Sequence, residues 1–173
     1  MSEAALVSAR LTSHHDRSKF TCGVEALDRY FRQQVTQDIR RRIANCFVLI
    51  ESGTGNVAGY YTLSSTSLFL ADLPSELVKR LPRYPTVPTV LLGRLAVATA
   101  YQRQGIGEFV LADAVDRAAR SDIGAFAIAV DPKNDKARRF YMKYGFAELP
   151  APERRLYVPI DSVLGLLQTS AKR

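Results

Sequence analysis

Apolar residues along this chain recur in two rhythms, and the switches between them mark out its elements. Residues 5–11 have the apolar content of a short strand. After a Cys22-Gly23 turn, Val24, Leu27, Phe31, Val35 and Ile39 fall three or four apart. That spacing predicts a helix over residues 24–42 with Arg29, Arg32, Arg40, Arg41 and Arg42 on or near its other face. Residues 47–51 read as a strand, residues 52–56 (Ser-Gly-Thr-Gly-Asn) as a hairpin turn, and residues 57–70 as a long strand broken near Ser64-Ser65. Residues 74–80 predict a short helix with Pro74 at its first turn, and Pro82, Pro85 and Pro88 an extended loop.

The second half is more regular. Residues 89–98 are a near-continuous apolar run, as in a central strand covered on both faces. A helix follows over residues 105–121, with Phe109, Val110, Ala114, Val115 and Ala118 as its apolar face. Residues 125–130 form a second buried strand. Residues 134–143 form a helix stopped by Gly145, and residues 156–160 a last strand. Asp161 then caps a short terminal helix that includes Val163, Leu164 and Leu167. No repeat or linker interrupts this order, so residues 1–173 read as one α/β domain with a mixed sheet. A right-handed crossover is expected between the strands at 89–98 and 125–130.

Composition narrows the chemistry. The formal net charge is +7, and a basic surface draws in polyanions such as nucleic acid or a nucleotide cofactor. Cys22 and Cys46 are far apart, and with two histidines besides they form no metal-ligand spacing, so no metal is expected. No stretch approaches the roughly 18 apolar residues of a membrane helix, so no membrane partner is expected. The first residues lack the basic start and apolar run of a signal peptide. A reduced cytoplasmic setting is the expectation.

The strongest local signal is a strand, then Gln102-Arg103-Gln104-Gly105-Ile106-Gly107, then a helix. The first N–H groups of a helix have no partner within it, and the helix dipole adds positive potential there. Glycines let the backbone come close to phosphate oxygens, so an anion can sit on this end. A Gly-Lys-Ser/Thr phosphate loop is absent, and the third glycine of a dinucleotide fingerprint is replaced by Val110. By itself the pair of glycines fits an ordinary tight turn better than an anion cradle.

Arg94-Leu95-Ala96-Val97 before this loop and Asn134, Ala137, Phe140-Tyr141 and Gly145-Phe146 after the next strand complete an ensemble that resembles the GNAT superfamily of N-acetyltransferases. There Gln/Arg-x-x-Gly-x-Gly/Ala binds acyl-CoA, matched by Gln102, Gly105 and Gly107. Arg103 departs from the glycine often found at its position. The resemblance covers roughly residues 45 to 160. It implies a mixed, mostly antiparallel sheet flanked by helices, whose splayed central strand pair binds acyl-CoA. It also implies acetyl-CoA as co-substrate. Leu95, Ala96 and Val97 would hold the pantetheine arm. Gln102, Arg103, Gln104, Gly105, Ile106, Gly107, Asn134, Ala137 and Arg138 would complete the cofactor site. Tyr141 would be the general acid that protonates the departing thiolate, a task its phenol suits at a pKa of about 10. The acceptor amine must be neutral. A lysine at about 10.4 needs a base, whereas an α-amine at about 8 needs little help. No carboxylate stands beside the motif strand, which favours an amine of low pKa.

A narrower resemblance extends over nearly the whole chain. Residues 20–28 (Phe-Thr-Cys-Gly-Val-Glu-Ala-Leu-Asp), 59–64 (Gly-Tyr-Tyr-Thr-Leu-Ser), 81–88 (Leu-Pro-Arg-Tyr-Pro-Thr-Val-Pro) and 93–97 (Gly-Arg-Leu-Ala-Val) are similar to the GNAT toxins of bacterial type II toxin–antitoxin pairs. That resemblance implies acetylation of the α-amino group of aminoacyl-tRNA, which blocks translation. It also implies a homodimer, a ribbon-helix-helix antitoxin, and operator DNA bound only through that antitoxin. Arg29, Arg32, Arg40, Arg41, Arg42, Lys79, Arg80 and Arg83 are then candidate tRNA contacts through phosphate. For the three consecutive arginines, a solvated helix end fits equally well. Two other functions remain open: acetylation of a small amine or a protein N-terminus, and a non-catalytic acyl-CoA-binding module. Cys22, Glu25 and Asp28 belong to the pattern without an assigned role.

Overall fold

The computed structural model describes residues 5–150 and 154–170, with side chains up to Gly165. Its seven strands form one sheet in the order β1-β2-β3-β4-β5-β7-β6. The strands are β1 (Leu6–Arg10), β2 (Asn45–Glu51), β3 (Val57–Phe69), β4 (Thr86–Val97), β5 (Ala127–Val130), β6 (Ala147–Glu148) and β7 (Leu156–Pro159). The pairs β1–β2, β2–β3, β5–β7 and β6–β7 are antiparallel, and β4–β5 is parallel. A parallel pair needs a crossover, and α4 (Ile106–Ala119) lies between these two strands in the chain. Among the described residues no helix is long and apolar enough to cross a membrane.

The chain divides into two compact units. Unit 1 comprises Met1–Ser64 and Gly93–Ala114, and unit 2 comprises Ser65–Leu92 and Val115–Arg173. The division falls at Ser64-Ser65, where a strand break is expected from sequence, yet β3 runs unbroken over 13 residues. β3 lies between β2 and β4 in the sheet, and its pairing with β2 ends at Leu63, just before the two serines. β4 likewise starts earlier than predicted, at Thr86, and passes through Pro88. Pro88 precedes the first β4–β5 pair, Thr89↔Ala127, and its carbonyl accepts the Phe126 N–H at 2.9 Å. Its missing N–H therefore costs no bond to β5.

In unit 1 the predicted helix over 24–42 has three parts. They are α1 (Glu25–Arg29), a π-helical turn (Tyr30–Gln34) and α2 (Val35–Arg40). Leu27, Phe31, Val35 and Ile39 recur every four residues, and in a plain α-helix that stripe drifts by about 40° per step. A wider π turn counters the drift and keeps Phe31 and Val35 fully buried. Phe31 stacks on Tyr60 at 4.2 Å between centroids, and Phe20 meets both rings edge-on.

α4 buries Ile106, Val110, Leu111, Ala114, Val115 and Ala118. Phe109, expected on the apolar face, is exposed. At about 100° per residue the buried set spans an arc of about 180°, and Phe109 falls about 60° outside it. In unit 2, α5 (Asp135–Lys143) ends where Gly145 takes φ +93°, as expected. The short β6 is not foreseen in the sequence. Asp161 is not a cap: α6 (Ile160–Ser170) begins one residue earlier and places it in the first turn. Ile160 and Val163 are buried, and the side chain of Leu167 lies outside the described residues.

Candidate active site

The phosphate-loop candidate is built entirely within unit 1. β4 delivers Leu95, Ala96 and Val97, with Ala96 buried. The last β4–β5 pair is Leu92↔Val130, so these three residues lie beyond the end of parallel pairing. On the β3 side the approach is tight: a Cβ on Gly59 would sit 2.9 Å from the Ala96 carbonyl oxygen. Only glycine allows β3 to come so close at that point.

After β4 the chain makes a 3-10 turn (Thr99–Tyr101) and enters the loop. The Gln102 side-chain amide donates to the carbonyls of Cys22 at 2.8 Å and Val97 at 2.9 Å. It therefore ties the loop to the strand end and to the Cys22-Gly23 turn. The Thr99 N–H donates to the Thr21 carbonyl at 2.8 Å. The Tyr101 hydroxyl donates to Glu51 at 2.6 Å, as does Thr54, fastening the β2–β3 turn to the same segment. Gln104 reaches the Ala100 carbonyl at 3.4 Å.

Arg103 and Gly105 both take left-handed backbone, at φ +65° and +76°. A non-glycine residue there is held at a cost of order 1–2 kcal/mol. Such turns gather successive N–H groups into a concave cradle for an anion. The cradle leads directly into α4, whose first N–H groups have no partner within the helix. Ile106 is buried and anchors the helix start, while Gly107 is half-buried. A Cβ built on Gly105 meets nothing within 4 Å, so glycine is required there by backbone conformation, not by crowding. This cradle suits the pyrophosphate of a CoA thioester.

The segment 20–28 lacks a role in the sequence reading and acquires one here. Asp28 is buried, and its carboxylate accepts the Cys22 N–H at 2.8 Å and the Thr21 hydroxyl at 3.1 Å. The carbonyls of the same two residues hold Gln102 and Thr99, so Asp28 braces the loop from behind. The signal was an acidic residue between Leu27 and Phe31 on the apolar side of its helix. Glu25 pairs with Arg29 at 2.7 Å. The Cys22 thiol is pushed up to about 11, first by burial and then by Asp28.

The Arg94 guanidinium lies 3.5 Å from the Tyr30 ring centroid. The Tyr30 hydroxyl donates to Asp38 at 2.8 Å.

Unit 2 holds the second motif. Asn134 is the N-cap of α5, and its side-chain oxygen accepts the Ala137 N–H at 2.8 Å. Arg138 forms an ion pair with Glu148 of β6. Tyr141 is buried, with Phe140 and Phe146 edge-on at 5.2 and 5.4 Å. Burial alone pushes its phenol well above the ordinary tyrosine value.

The candidate tRNA contacts fall in both units. In unit 1, Arg29, Arg32, Arg40, Arg41 and Arg42 are exposed. α2 ends at Arg40, and Arg42 at φ +59° turns the chain out of the helix. In unit 2, Arg80 and Arg83 are exposed, and Lys79 lies 3.5 Å from Glu76. Among the described residues no group of three or more His, Cys, Asp or Glu is placed to hold a metal ion.

Unit 1 thus carries a left-handed loop that opens α4, and unit 2 an Asn-capped α5 bearing a buried tyrosine. The acetyltransferase (GNAT) family matches residues 10–146, and the chain belongs to that family. Among its relatives is the tRNA-acetylating toxin of Mycobacterium tuberculosis, 32% identical over 160 residues, covering 91% of this chain and 94% of the relative. The structure of AtaT complexed with acetyl-methionyl-tRNAfMet is 32% identical with a TM-score of 0.84, covering 94% of this chain and 99% of that one. A tyrosine-to-phenylalanine variant of AtaT, bound to the C-terminus of the antitoxin AtaR and acetyl-CoA, is 28% identical with a TM-score of 0.76. It covers 93% of this chain and 97% of that one.

Proposed function

We propose that the protein is the toxin of a type II toxin–antitoxin pair, which moves the acetyl group of acetyl-CoA onto the α-amino group of an aminoacyl-tRNA. The observation that carries this reading is the likeness, over 94% of the chain, to a protein solved with acetyl-methionyl-tRNA. The product has no free α-amine, so it cannot accept a growing peptide, and translation stops.

The N–H groups of the cradle at Arg103, Gln104 and Gly105, with those of Ile106 and Gly107, receive the pyrophosphate, and the Arg103 guanidinium adds charge. The backbone of Leu95, Ala96 and Val97 pairs with the pantetheine arm as an added strand would. Gln102 holds the loop in shape. Asn134, Ala137 and Arg138 present the start of α5 to the same ligand. Acetyl-CoA supplies an activated thioester. The neutral α-amine forms the new C–N bond, the C–S bond breaks, and the Tyr141 hydroxyl passes its proton to the leaving sulfur. The amine's surplus proton leaves to solvent, and a proton from solvent restores the Tyr141 hydroxyl. An α-amine at about 8 is neutral often enough that no carboxylate base is required.

Arg29, Arg32, Arg40, Arg41, Arg42, Lys79, Arg80 and Arg83 meet tRNA phosphates, which positions the substrate without reading its sequence. The protein works as a homodimer in the bacterial cytoplasm, where charged tRNA is made and used. A ribbon-helix-helix antitoxin restrains it, and the pair reaches operator DNA through that antitoxin to repress its own promoter. The relative AtaT, solved with the C-terminus of AtaR, supports the partner class.

The test is mass spectrometry of charged and deacylated tRNA after incubation with acetyl-CoA. Acetylated aminoacyl-adenosine from charged tRNA alone is the expected result. Unmodified charged tRNA, with acetylation of small amines or peptide N-termini instead, would overturn the reading.

A further inference from the structure

Two aromatic rings in unit 2 face water. Phe69 is 64% exposed at the end of β3, and Tyr84 is 68% exposed in the connection to β4. The Leu70 N–H donates to the Pro85 carbonyl at 3.0 Å, and Phe69 and Tyr84 are the residues just before each partner. One backbone hydrogen bond therefore sets them on neighbouring runs of chain.

The segment beneath is well anchored. Leu68, Leu73 and Val87 are buried, and Leu77 and Leu81 pack against them. Strand alternation turns Leu68 inward and Phe69 outward. Tyr84 stands between Pro82 and Pro85, with its N–H on the Pro82 carbonyl at 2.9 Å. The backbone that carries both rings is thus stiff before any ligand arrives.

Arg80 and Arg83 are exposed and precede Tyr84 in the chain, while Lys79 lies 3.5 Å from Glu76. Exposed aromatic rings interleaved with arginine are the physical signature of a single-strand nucleic-acid site. Every base has a π face to stack, and every linkage has a phosphate to pair. A duplex offers neither face, because its bases are already stacked. The acceptor end of a tRNA finishes in unpaired nucleotides, so it meets the requirement.

We propose that Phe69 and Tyr84 form a stacking subsite for the unpaired 3′ nucleotides of the tRNA acceptor end, with Arg83 on an adjacent phosphate. This rests on the tRNA reading above and adds to it. Phosphate contacts place the duplex part, whereas this pair grips the single strand that carries the amino acid.

The experiment compares wild type with Tyr84→Ala, Phe69→Ala and Tyr84→Phe, in the full-length protein. Removing one stacked ring raises KM for charged tRNA by about 5- to 150-fold, while kcat and the KM for acetyl-CoA stay within about twofold. Tyr84→Phe keeps the ring and restores most of the loss. The direct readout is deacylated tRNA with 2-aminopurine in its unpaired end. Its fluorescence is quenched by wild type and by Tyr84→Phe, and not by Tyr84→Ala. Quenching that survives both alanine variants overturns the subsite while leaving tRNA acetylation intact. A fall in oligomer mass with unchanged quenching assigns the face to contact between copies, which also overturns it. If wild type leaves charged tRNA unacetylated, the parent reading fails, and this subsite with it.

Discussion

The Asp28 carboxylate accepts the Cys22 N–H at 2.8 Å, and the Cys22 carbonyl in turn accepts the Gln102 side chain at 2.8 Å. A buried acid on the first helix thereby braces the loop at Gln102, 74 residues further on in sequence. Asp28→Ala leaves the buried Cys22 N–H and the part-buried Thr21 hydroxyl without their acceptor and is expected to cost about 1–3 kcal/mol in urea unfolding. Acetyl-CoA affinity should fall several-fold by titration calorimetry. Asp28→Asn, which keeps one acceptor oxygen, should recover part of both.

Gly105 takes φ +76° with open space around its missing Cβ. Gly105→Ala therefore introduces backbone strain of about 1–2 kcal/mol and no clash. Acetyl-CoA should bind roughly tenfold more weakly, and the unliganded variant should melt about 2–8 °C lower. Equal affinity for the variant would remove the loop from the cofactor site.

Tyr141→Phe should keep acetyl-CoA affinity and lower turnover at least about tenfold. Because burial raises the Tyr141 phenol, the proton stays in place across the working range. The kcat of wild type should therefore show no alkaline decline from this group between pH 7 and about 10. Pre-steady-state measurement of CoA release at a series of pH values checks both statements.

Replacing Arg40, Arg41 and Arg42 together with alanine should weaken tRNA acetylation and leave acetyl-CoA binding alone. If all three meet phosphates, the slope of log affinity against log salt becomes shallower by about 2–3. An unchanged slope would assign these side chains to a solvated helix end.

The Cys46 thiol is pushed up to about 12, first by burial, and the Cys22 thiol to about 11. Each raised value means that folded protein keeps a proton which the unfolded chain loses near its ordinary value of 9.0. Their stabilising contribution is full below about pH 9 and declines as pH rises toward 11 and 12. Urea unfolding of reduced protein should show lower stability at pH 10 than at pH 8. Cys46→Ala should flatten that fall.

Much of the fold was legible in the chain because burial leaves a periodic trace. The apolar run over residues 89–98 announced a central strand, and β4 is the fourth of seven. Gly105 and Gly145 were legible because left-handed backbone strongly selects glycine. Asn134 was legible as the start of its helix, since a short amide caps well. Phe109 was misplaced because an apolar residue one position off the stripe looks the same in sequence as one on it. Asp161 was misplaced because a first-turn acid resembles a cap.

What the sequence determined by itself is therefore local: strand and helix periods, the left-handed Gly105 and Gly145, and the motifs that place the chain among acetyltransferases. Each depends on a residue's preference for its own backbone or its immediate neighbours. The tertiary structure alone decided the π turn at Tyr30–Gln34, where long-range packing of Phe31 on Tyr60 outweighs α-helical geometry. It alone joined Asp28 to Gln102, and set Phe69 and Tyr84 on either side of one hydrogen bond. Those pairings bring together residues far apart in the chain, and no local preference encodes them.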